Sequence, residues 1–443
     1  MSLRNRWLTI VLTSAVGFGL AGMAKADLVG YWSFDDTVAD QSGNGRDGTN
    51  LLNVAYSPDT PSVLDSSKSL VLGGATRVDI PADPALNSQP FTLAYWFNQN
   101  GIAQNGTYER VTSRGSDTFE TAVSSDGSLR YYPSPTGWQD TGVDLSASGW
   151  QHVVFSSDGG NMRVYVDGAL EYTGQTNANR SGILRIGARD NIWTEGIDGL
   201  IDDVAVWDNP LPPAAVQTLA DGGWAPNELV ITTVTSDPND WALSTVRRSG
   251  GAAGTWTPPG DPLPDASTFT LPASPTPVAG IVAAAADLGL GTLLGDGGDS
   301  QPAGLQYYRT TFDLDPFKEI SAQITLAVDN GAQVFINGQE VARETSYLTE
   351  NWARPYSTLS INPDGSISDV TLFDQTFSFT GWLVGENEVV LAIRNPDSEG
   401  LIGGGLAFRM DVVSTVPEPG AVCLLGLGGL CLLGYARWRK RRR

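Results

Sequence analysis

The amino-acid sequence predicts an all-β protein of two tandem β-sandwich domains, with an apolar segment at each end of the chain. Short runs of alternating aromatic and β-branched residues recur through the body, for example at 91–97 and 388–394, and long helical periods are absent. The 51 glycines and 26 prolines break these runs into strands and turns. A chain body of this length is too large for a single small hydrophobic core, so we expect at least two domains.

The N-terminal apolar segment has the pattern of a secretory signal. Arg4 and Arg6 precede an apolar stretch at 7–23, and Ala24-Lys25-Ala26 places small residues at the two positions that a signal peptidase reads. We therefore expect a signal peptide at residues 1–26 and cleavage before Asp27. An N-terminal helix that is never cleaved is the alternative.

The C-terminal segment combines three elements in a fixed order. Pro417, Glu418 and Pro419 precede an apolar run at 421–436, and a basic cluster at 437–443 follows. This order resembles the PEP-CTERM sorting signal, which implies processing by an exosortase-type membrane protease. We therefore assign residues 416–443 to a sorting tail.

The length of the apolar run bears on how the tail is held. A transmembrane helix over residues 421–436 spans roughly 24 Å, at about 1.5 Å per residue. The hydrocarbon core of a bilayer is about 30 Å thick. The run is short for a permanent anchor. On the strength of the sorting motif, we expect transient anchoring in the inner membrane, followed by release to the cell surface or the extracellular space. A simple tail anchor that is never cut is the alternative.

Removing the two ends makes the chain markedly more acidic. Three of its 27 basic residues lie in the signal and six in the tail, which leaves 18 against 49 acids when Glu418 is counted, a net charge near −31 rather than −22. Such a body repels nucleic acid and anionic lipid and attracts cations, which excludes nucleic acid as a partner. Both cysteines, Cys423 and Cys431, lie in the tail helix, so the exported body has no disulfide.

Two hairpins and one helix are predicted from local signals. Asp167-Gly168 and Asn337-Gly338 each follow a short strand pattern, and these dipeptides favour type I′ turns because both central residues need a positive φ. A short helix is predicted at residues 211–220, because prolines lie near its first turn and glycines follow it. The sequences around the two hairpins do not align, so we expect independent domains rather than a repeat.

The remaining connections are less regular. Residues 224–227 are expected to link the domains. Residues 249–277 are rich in Pro, Gly and Ser and predict a long surface loop. The alanine-rich stretch at 278–294 fits either a helix or a buried loop.

Several ordered motifs lie between residues 27 and 223. They are Tyr31-Trp32-Ser33-Phe34-Asp35, Asp40-Gln41-Ser42-Gly43-Asn44-Gly45, Gly149-Trp150-Gln151-His152, and Ile201-Asp202-Asp203-Val204. In this order they resemble the laminin-G-like, concanavalin-A-like jelly roll. The resemblance implies sugar binding, protein binding or a passive spacer role, and the fold alone does not choose among these.

The second domain, at 228–413, carries a different set of motifs. Tyr307-Tyr308-Arg309, the run at 382–393 and the run at 404–411 are similar to the galactose-binding-like β-sandwich, which serves as a glycan-binding accessory module in many glycosidases. Four residues in an insertion between two strands are the predicted glycan contacts, because loops often carry function: Tyr347, Trp352, Arg354 and Tyr356. Packing of these aromatic side chains into the core is the alternative.

Acids and an amide of the first domain predict a structural calcium site. Asp35, Asp40 and Asn44 lie on or after the first strand, and Asp202 and Asp203 lie near the last strand. Because first and last strands often pair in this fold, these groups can meet. Ca²⁺ takes about six to eight oxygen ligands. Alternatively, these side chains cap turns and face solvent.

No catalytic residue is predicted. The single histidine, His152, lies on a strand, and neither a Gly-x-Ser-x-Gly nucleophile elbow nor a catalytic cysteine accompanies it. One histidine without cysteines in the body also excludes the usual zinc sites.

We therefore expect an exported, non-catalytic surface or extracellular-matrix protein that associates with exopolysaccharide by weak glycan binding. A purely structural surface spacer is one alternative. The other is a carbohydrate-active enzyme, which needs only two carboxylates, although the chain lacks a Glu-x-Asp-x-Glu strand.

Overall fold

The structure, a computed structural model, describes residues 26–415 with internal gaps. The gaps are residues 53, 74–75, 88, 100–107, 116–117, 147–148, 177–179, 190–195, 223, 237–239, 247, 250–261, 271–303, 329–330, 345–355 and 396–405. The described residues form two β-sandwiches, which confirms the all-β fold class.

Fifteen strands build the first domain. They are β1 (Leu28–Trp32), β2 (Thr49–Leu52), β3 (Ala55–Ser57), β4 (Ser69–Leu72), β5 (Arg77–Ile80), β6 (Phe91–Gln99), β7 (Tyr108–Arg114), β8 (Phe119–Ser124), β9 (Ser128–Pro133), β10 (Gln139–Asp144), β11 (Gln151–Ser157), β12 (Asn161–Val166), β13 (Ala169–Gln175), β14 (Leu184–Ile186) and β15 (Gly199–Trp207). Sheet A has the order β13-β12-β11-β6-β15-β4-β3, with β1 also paired to β15, and sheet B has the order β10-β9-β8-β7-β14-β5-β2. Neighbouring strands run antiparallel, as β6 and β11 do.

Side-chain alternation explains how sheet A is buried on both faces. In β6, Phe91, Leu93 and Tyr95 point into the core between the sheets. Ala94 and Trp96 point the other way and are buried as well. Because side chains alternate along a strand, a run that is apolar at every position requires a cover on each face.

The local predictions of the sequence are confirmed. The two hairpin turns have positive φ at both central residues, 50° and 83° at Asp167 and Gly168 and 48° and 77° at Asn337 and Gly338. One helix, α1 (Pro213–Asp221), follows β15, close to the predicted 211–220. The first and last strands of the domain pair, since β1 runs antiparallel to β15.

Twelve strands build the second domain. They are β16 (Leu229–Thr235), β17 (Ala242–Ser244), β18 (Phe269–Thr270), β19 (Gly304–Leu314), β20 (Glu319–Val328), β21 (Ala332–Ile336), β22 (Gln339–Glu344), β23 (Ser357–Ile361), β24 (Ile367–Thr371), β25 (Gln375–Thr376), β26 (Gly385–Asn395) and β27 (Leu406–Thr415). Sheet C has the order β16-β27-β20-β23-β24, and sheet D has the order β18-β17-β19-β26-β21-β22-β25. The last strand continues through Ser414 and Thr415, two residues beyond the predicted end of the domain at 413.

The two sandwiches pack against each other through α1. Ala215, Val216 and Leu219 of this helix share one apolar cluster with Val154 of sheet A and with Val413 of sheet C. The outer face of sheet A is therefore covered by the helix and the second domain. The outer face of sheet B lies on the opposite side of the first sandwich.

The predicted linker is short and ordered. Lys318 Nζ of the second domain lies 4.5 Å from the centroid of the Trp224 ring. A 3-10 turn at Pro226–Glu228 follows, and the Glu228 carboxylate accepts a hydrogen bond from the Ala225 N–H at 2.9 Å. Through the contact with Lys318, the linker packs against the second domain.

The part of the chain that the structure describes contains no helix long and apolar enough to cross a membrane. The apolar stretch at 7–23, the tail helix predicted at 421–436 and the undecided stretch at 278–294 lie outside that part.

Candidate functional site

Three of the acids that the sequence singled out meet on the side of sheet A that faces the second domain. Asp202 and Asp203 occupy a bulge in β15, and Asp203 has a φ of 47°. The Tyr31 hydroxyl donates a hydrogen bond to Asp203 Oδ1 at 2.6 Å. The Ser66 hydroxyl lies 2.9 Å from Asp202 Oδ2 and 3.4 Å from Asp35 Oδ1, so it joins two of the acids.

Burial changes the acidity of this cluster. Burial, with the neighbouring charge of Asp203, raises the pKa of Asp202 to about 8. Burial, with the charge of Asp35, raises the pKa of Asp203 to about 7 and outweighs the hydrogen bond from Tyr31, which lowers it. The pKa of the Tyr31 hydroxyl is also raised, by burial first and by Asp203 second. The cluster can therefore gain or lose a proton near neutral pH.

The other two predicted calcium ligands, Asp40 and Asn44, instead form hydrogen bonds that hold the loop after β1 in place. Asp40 accepts hydrogen bonds from the backbone N–H groups of Tyr31, Ser42 and Arg46 at 3.1, 2.9 and 2.9 Å. Asn44 Nδ2 donates to the carbonyls of residues 28 and 29 at 3.0 and 3.1 Å. Within the described residues, no group of three or more His, Cys, Asp or Glu side chains is arranged to hold a metal ion. The calcium site stays a prediction, and three of its five residues lie together.

The acid cluster borders a cleft of about 380 Å³ at the junction between the domains. Asp65 and Glu228 add two further carboxylates to its lining, and Lys318 contributes a positive charge from the second domain. The cleft is therefore polar and mainly acidic.

His152 lies near this junction, on β11, as the sequence predicted. Its ring is buried and lies 5.1 Å from that of Trp96. Burial lowers the pKa of the imidazole to about 3. The imidazole is therefore neutral near pH 7 and packs beside the Trp96 ring.

A second cluster lies on the outer face of sheet B, and the sequence analysis missed it. Tyr108 of β7 stacks on Trp138, with ring centroids 4.5 Å apart and planes 22° apart. Tyr132 of β9 meets Trp138 edge-on at 5.5 Å. All three rings are half-buried. We call Tyr108, Tyr132 and Trp138 the aromatic cluster.

Strand register places charged groups beside these rings. Glu120 of β8 is directly opposite Tyr132, so the two side chains share the outer face. Arg110 Nε donates to Glu120 Oε2 at 3.0 Å, and Arg189 Nε lies 3.2 Å from Glu120 Oε1. The Arg110 guanidinium lies 5.1 Å from the centroid of Trp138. Buried ion pairs fix these side chains in place, and rigidly placed polar groups beside aromatic faces suit an oriented ligand.

A partial signal for this cluster was present in the sequence. Tyr131 and Tyr132 are consecutive in a strand and must point to opposite faces. Tyr131 is fully buried in the core, so Tyr132 lies outside. Trp138, however, reaches the cluster from the connection between β9 and β10, which alternation does not predict.

Most of the predicted glycan contacts of the second domain fall in the gap at 345–355. Tyr347, Trp352 and Arg354 lie outside the described residues. Tyr356 is described, half-buried and placed directly before β23. These four residues stay a prediction.

The structure has distant similarities among solved proteins. Domain 4 of AbnA, an extracellular GH43 arabinanase from Geobacillus stearothermophilus in complex with arabinotriose, is 24% identical over 44% of this chain and 99% of that chain, with a TM-score of 0.36. Trypanosoma rangeli sialidase is 16% identical over 45% of this chain and 34% of its own, with a TM-score of 0.36. The binding domain of botulinum neurotoxin DC in complex with SialylT is 10% identical over 88% and 99%, with a TM-score of 0.36. No curated protein matches the chain.

Two family models match parts of the chain. Residues 72–217 match the concanavalin A-like lectin/glucanases superfamily, in its laminin-G form. Residues 415–443, which include Pro417, Glu418 and Pro419, match the PEP-CTERM protein-sorting motif. That motif indicates export and sorting to the cell envelope and implies processing by an exosortase. The chain therefore contains a laminin-G-like, concanavalin-A-like jelly-roll domain and ends in a PEP-CTERM sorting motif.

Proposed function

We propose that this exported protein is non-catalytic and binds glycans of the cell surface or the exopolysaccharide through the outer face of sheet B. The observation that carries the proposal is the aromatic cluster, three half-buried rings on a sheet face that the second domain leaves uncovered. Aromatic faces pack against the C–H side of sugar rings, and guanidinium and carboxylate groups bind hydroxyls.

The charges on this face favour binding over catalysis. A glycosidase needs a carboxylic acid with a raised pKa beside a second carboxylate. Glu120 instead lies between two guanidiniums, with Arg110 Nε at 3.0 Å and Arg189 Nε at 3.2 Å. Within the part of the chain that the structure describes, the acids with a raised pKa are Asp202 and Asp203, which lie on the other sheet, at the junction with the second domain.

The test is retention on a panel of polysaccharides, measured by affinity electrophoresis of the full chain in mild detergent. We expect Trp138→Ala to weaken retention by about tenfold or more, because stacking on one ring contributes on the order of 1 kcal/mol and the neighbouring rings shift when it is removed. Trp150→Ala is the matched control, since Trp150 is half-buried and its indole N–H bonds to Asp59 at 3.0 Å, away from this face.

The outcomes separate the candidate functions. Loss of retention in Trp352→Ala rather than in Trp138→Ala would move the site to the second domain. Absence of retention on every polysaccharide would contradict glycan binding and favour a structural spacer. Turnover of a polysaccharide, abolished by substituting one carboxylate, would contradict the non-catalytic assignment.

We also propose that the cluster of Asp35, Asp202 and Asp203 takes a structural Ca²⁺ ion. The donor chemistry fits a hard cation, because the carboxylates lie with the Ser66 hydroxyl and the Lys68 carbonyl, which Ser66 meets at 2.9 Å. A bound cation would relieve the cost of burying two adjacent carboxylates. Removing calcium with EDTA should lower the melting temperature, and an unchanged melting temperature would count against the site.

Anchoring through the tail is proposed to be transient. Strand β27 ends at Thr415, directly before the sorting motif, so the anchored body must lie close to the bilayer. Its strong negative charge is repelled by anionic lipids there. Cell fractionation with an antibody to the body should find protein beyond the inner membrane. Full-length protein held only in that membrane would contradict the proposal.

A further inference from the structure

We propose that the glycans bound at the outer face of sheet B carry carboxylates, as chains of uronic acids do. The inference rests on the proposed glycan binding and adds the class of ligand. It follows from the distribution of arginines over the first domain.

Arginine is concentrated on this one face of a strongly acidic domain. Residues 27–223 contain 25 acids and only 10 basic residues. Five of the ten project from the outer face of sheet B: Arg77, Arg110, Arg130, Arg185 and Arg189. Sheet A carries one arginine in its strands, Arg163 of β12. The sheet B face is thus where an anionic ligand meets the least repulsion.

Four of these arginines form ion pairs in which two guanidiniums contact the same carboxylate. Glu120 lies between Arg110 and Arg189, at 3.0 and 3.2 Å. Asp79 lies between Arg77 and Arg185, at 2.8 and 3.9 Å. In both groups one carboxylate serves two guanidiniums. Such pairs hold the guanidinium planes in fixed positions, and a planar guanidinium fork recognises carboxylates bidentately.

Arg130 is the arginine best placed to reach a ligand. Its guanidinium lies 5.5 Å from the centroid of the Tyr108 ring, within the aromatic cluster. It pairs with Asp140 at 2.7 Å and Asp126 at 3.7 Å, whose side chains are 48% and 65% exposed. Exposed pairs contribute little to stability, so a ligand carboxylate can replace one of these partners at small cost.

The Arg130 side chain is also accessible from solvent. It is 21% exposed, so a ligand carboxylate can approach its guanidinium. Because Arg130 lies beside the Tyr108 ring, a sugar ring packed against the aromatic cluster can present a carboxylate to it. One ligand unit can then use the aromatic face for its C–H groups and the guanidinium for its acid.

The test compares matched polymers in affinity electrophoresis of the full chain in mild detergent. Polygalacturonate, polymannuronate and polyglucuronate are each paired with a carboxyl-reduced form that keeps the same backbone and linkages. We expect at least one acidic polymer to bind about tenfold more tightly than its reduced form, the effect of one charge-assisted bidentate contact. Arg130→Gln should remove most of that difference.

Two further variants test whether weaker binding by Arg130→Gln reflects loss of the guanidinium rather than disruption of the fold. Arg163→Gln makes the same change on sheet A, where Arg163 pairs with Asp158 at 3.3 Å, and should leave the preference unchanged. Arg130→Lys keeps the charge but loses the fork, and should recover only part of the affinity. The melting temperature of each variant should stay near that of the wild type.

The possible results are distinct. Equal binding to acidic and reduced polymers, or binding to neutral polymers only, overturns the carboxylate preference and leaves the proposed function in place. Failure to bind any polymer, with Trp138→Ala indistinguishable from wild type, overturns both. A preference that persists in Arg130→Gln also contradicts the inference.

Discussion

The stability of the first domain should fall as the pH rises through neutrality, because Asp202 and Asp203 are buried side by side. Below about pH 4 both carboxyls are protonated in the folded and the unfolded chain. As the pH rises, the unfolded chain releases its protons first, whereas the folded chain keeps them until pH about 7 to 8. The stability present at low pH is therefore lost progressively up to the folded-state pKa values.

The size of the effect follows from the pKa of Asp202. A rise from 3.8 to about 8 corresponds to roughly 6 kcal/mol once the carboxylate is fully ionised, at about 1.4 kcal/mol per pH unit. The raised pKa values of the two acids share part of their cause, since Asp203 contributes to that of Asp202, so they do not add. We expect the pair to cost on the order of 5 kcal/mol between about pH 5 and pH 9, a fall of more than about 10 °C in the melting temperature.

Asp202→Asn isolates the cause. The amide can keep the hydrogen bond that Asp202 Oδ1 accepts from the Asp203 N–H at 3.0 Å and can donate to Ser66 in place of accepting. The variant should match the wild type at about pH 5 and exceed it at about pH 9 by roughly 2 kcal/mol or more, because one buried charge is gone. Asp36→Asn is the control, since the Asp36 side chain is 65% exposed.

Thermal unfolding followed by circular dichroism in EDTA, at pH steps from about 5 to 9, measures the effect. A flat wild-type profile, or an Asp202→Asn variant that is less stable than wild type at about pH 9, would refute the reasoning. Adding Ca²⁺ at about pH 8 should restore wild-type stability and have a smaller effect on Asp202→Asn, since the variant lacks one ligand.

Three further predictions concern the cores and the hairpin. Phe155→Ala should cost about 3–5 kcal/mol in urea unfolding, because Phe155 is fully buried among aromatic rings; a loss below about 1 kcal/mol would contradict this packing. Asn337→Ala should cost about 2–3 kcal/mol, since Asn337 has a φ of 48° and its Oδ1 accepts the Glu388 N–H at 2.8 Å, whereas Asn337→Asp should cost less. The ring signals of His152 in NMR spectra should not titrate between about pH 5 and 8, because burial lowers its pKa to about 3; a midpoint near 6.5 would show that the ring is exposed.

The sequence predicted the features that depend on neighbouring residues. Asp167-Gly168 and Asn337-Gly338 specify their turns locally, because few residues other than Gly, Asn and Asp tolerate a positive φ at both central positions. The helix α1 follows equally local signals, proline at its start and Gly222 at its end. The sorting motif is a linear signal, and its match needs no fold at all.

The candidate sites depended on contacts between distant parts of the chain. Asp35 and Asp202 meet through Ser66, and the three come from separate segments. Asp40 instead accepts hydrogen bonds from the backbone N–H groups of Tyr31 in β1 and Ser42 in the loop that follows. Composition cannot distinguish these outcomes, because an acidic residue can cap a turn or enter a cluster with the same side chain.

The sequence by itself determined the fold class, the hairpin turns and the sorting motif of this protein, because each is specified by residues close together in the chain. Only the tertiary structure decided which sheet faces stay uncovered and can bind a ligand. Strand register brings Tyr108 and Tyr132 to one face of sheet B, and the connection between β9 and β10 adds Trp138. The second domain covers sheet A rather than sheet B, because the apolar outer face of sheet A must be buried against α1 and sheet C.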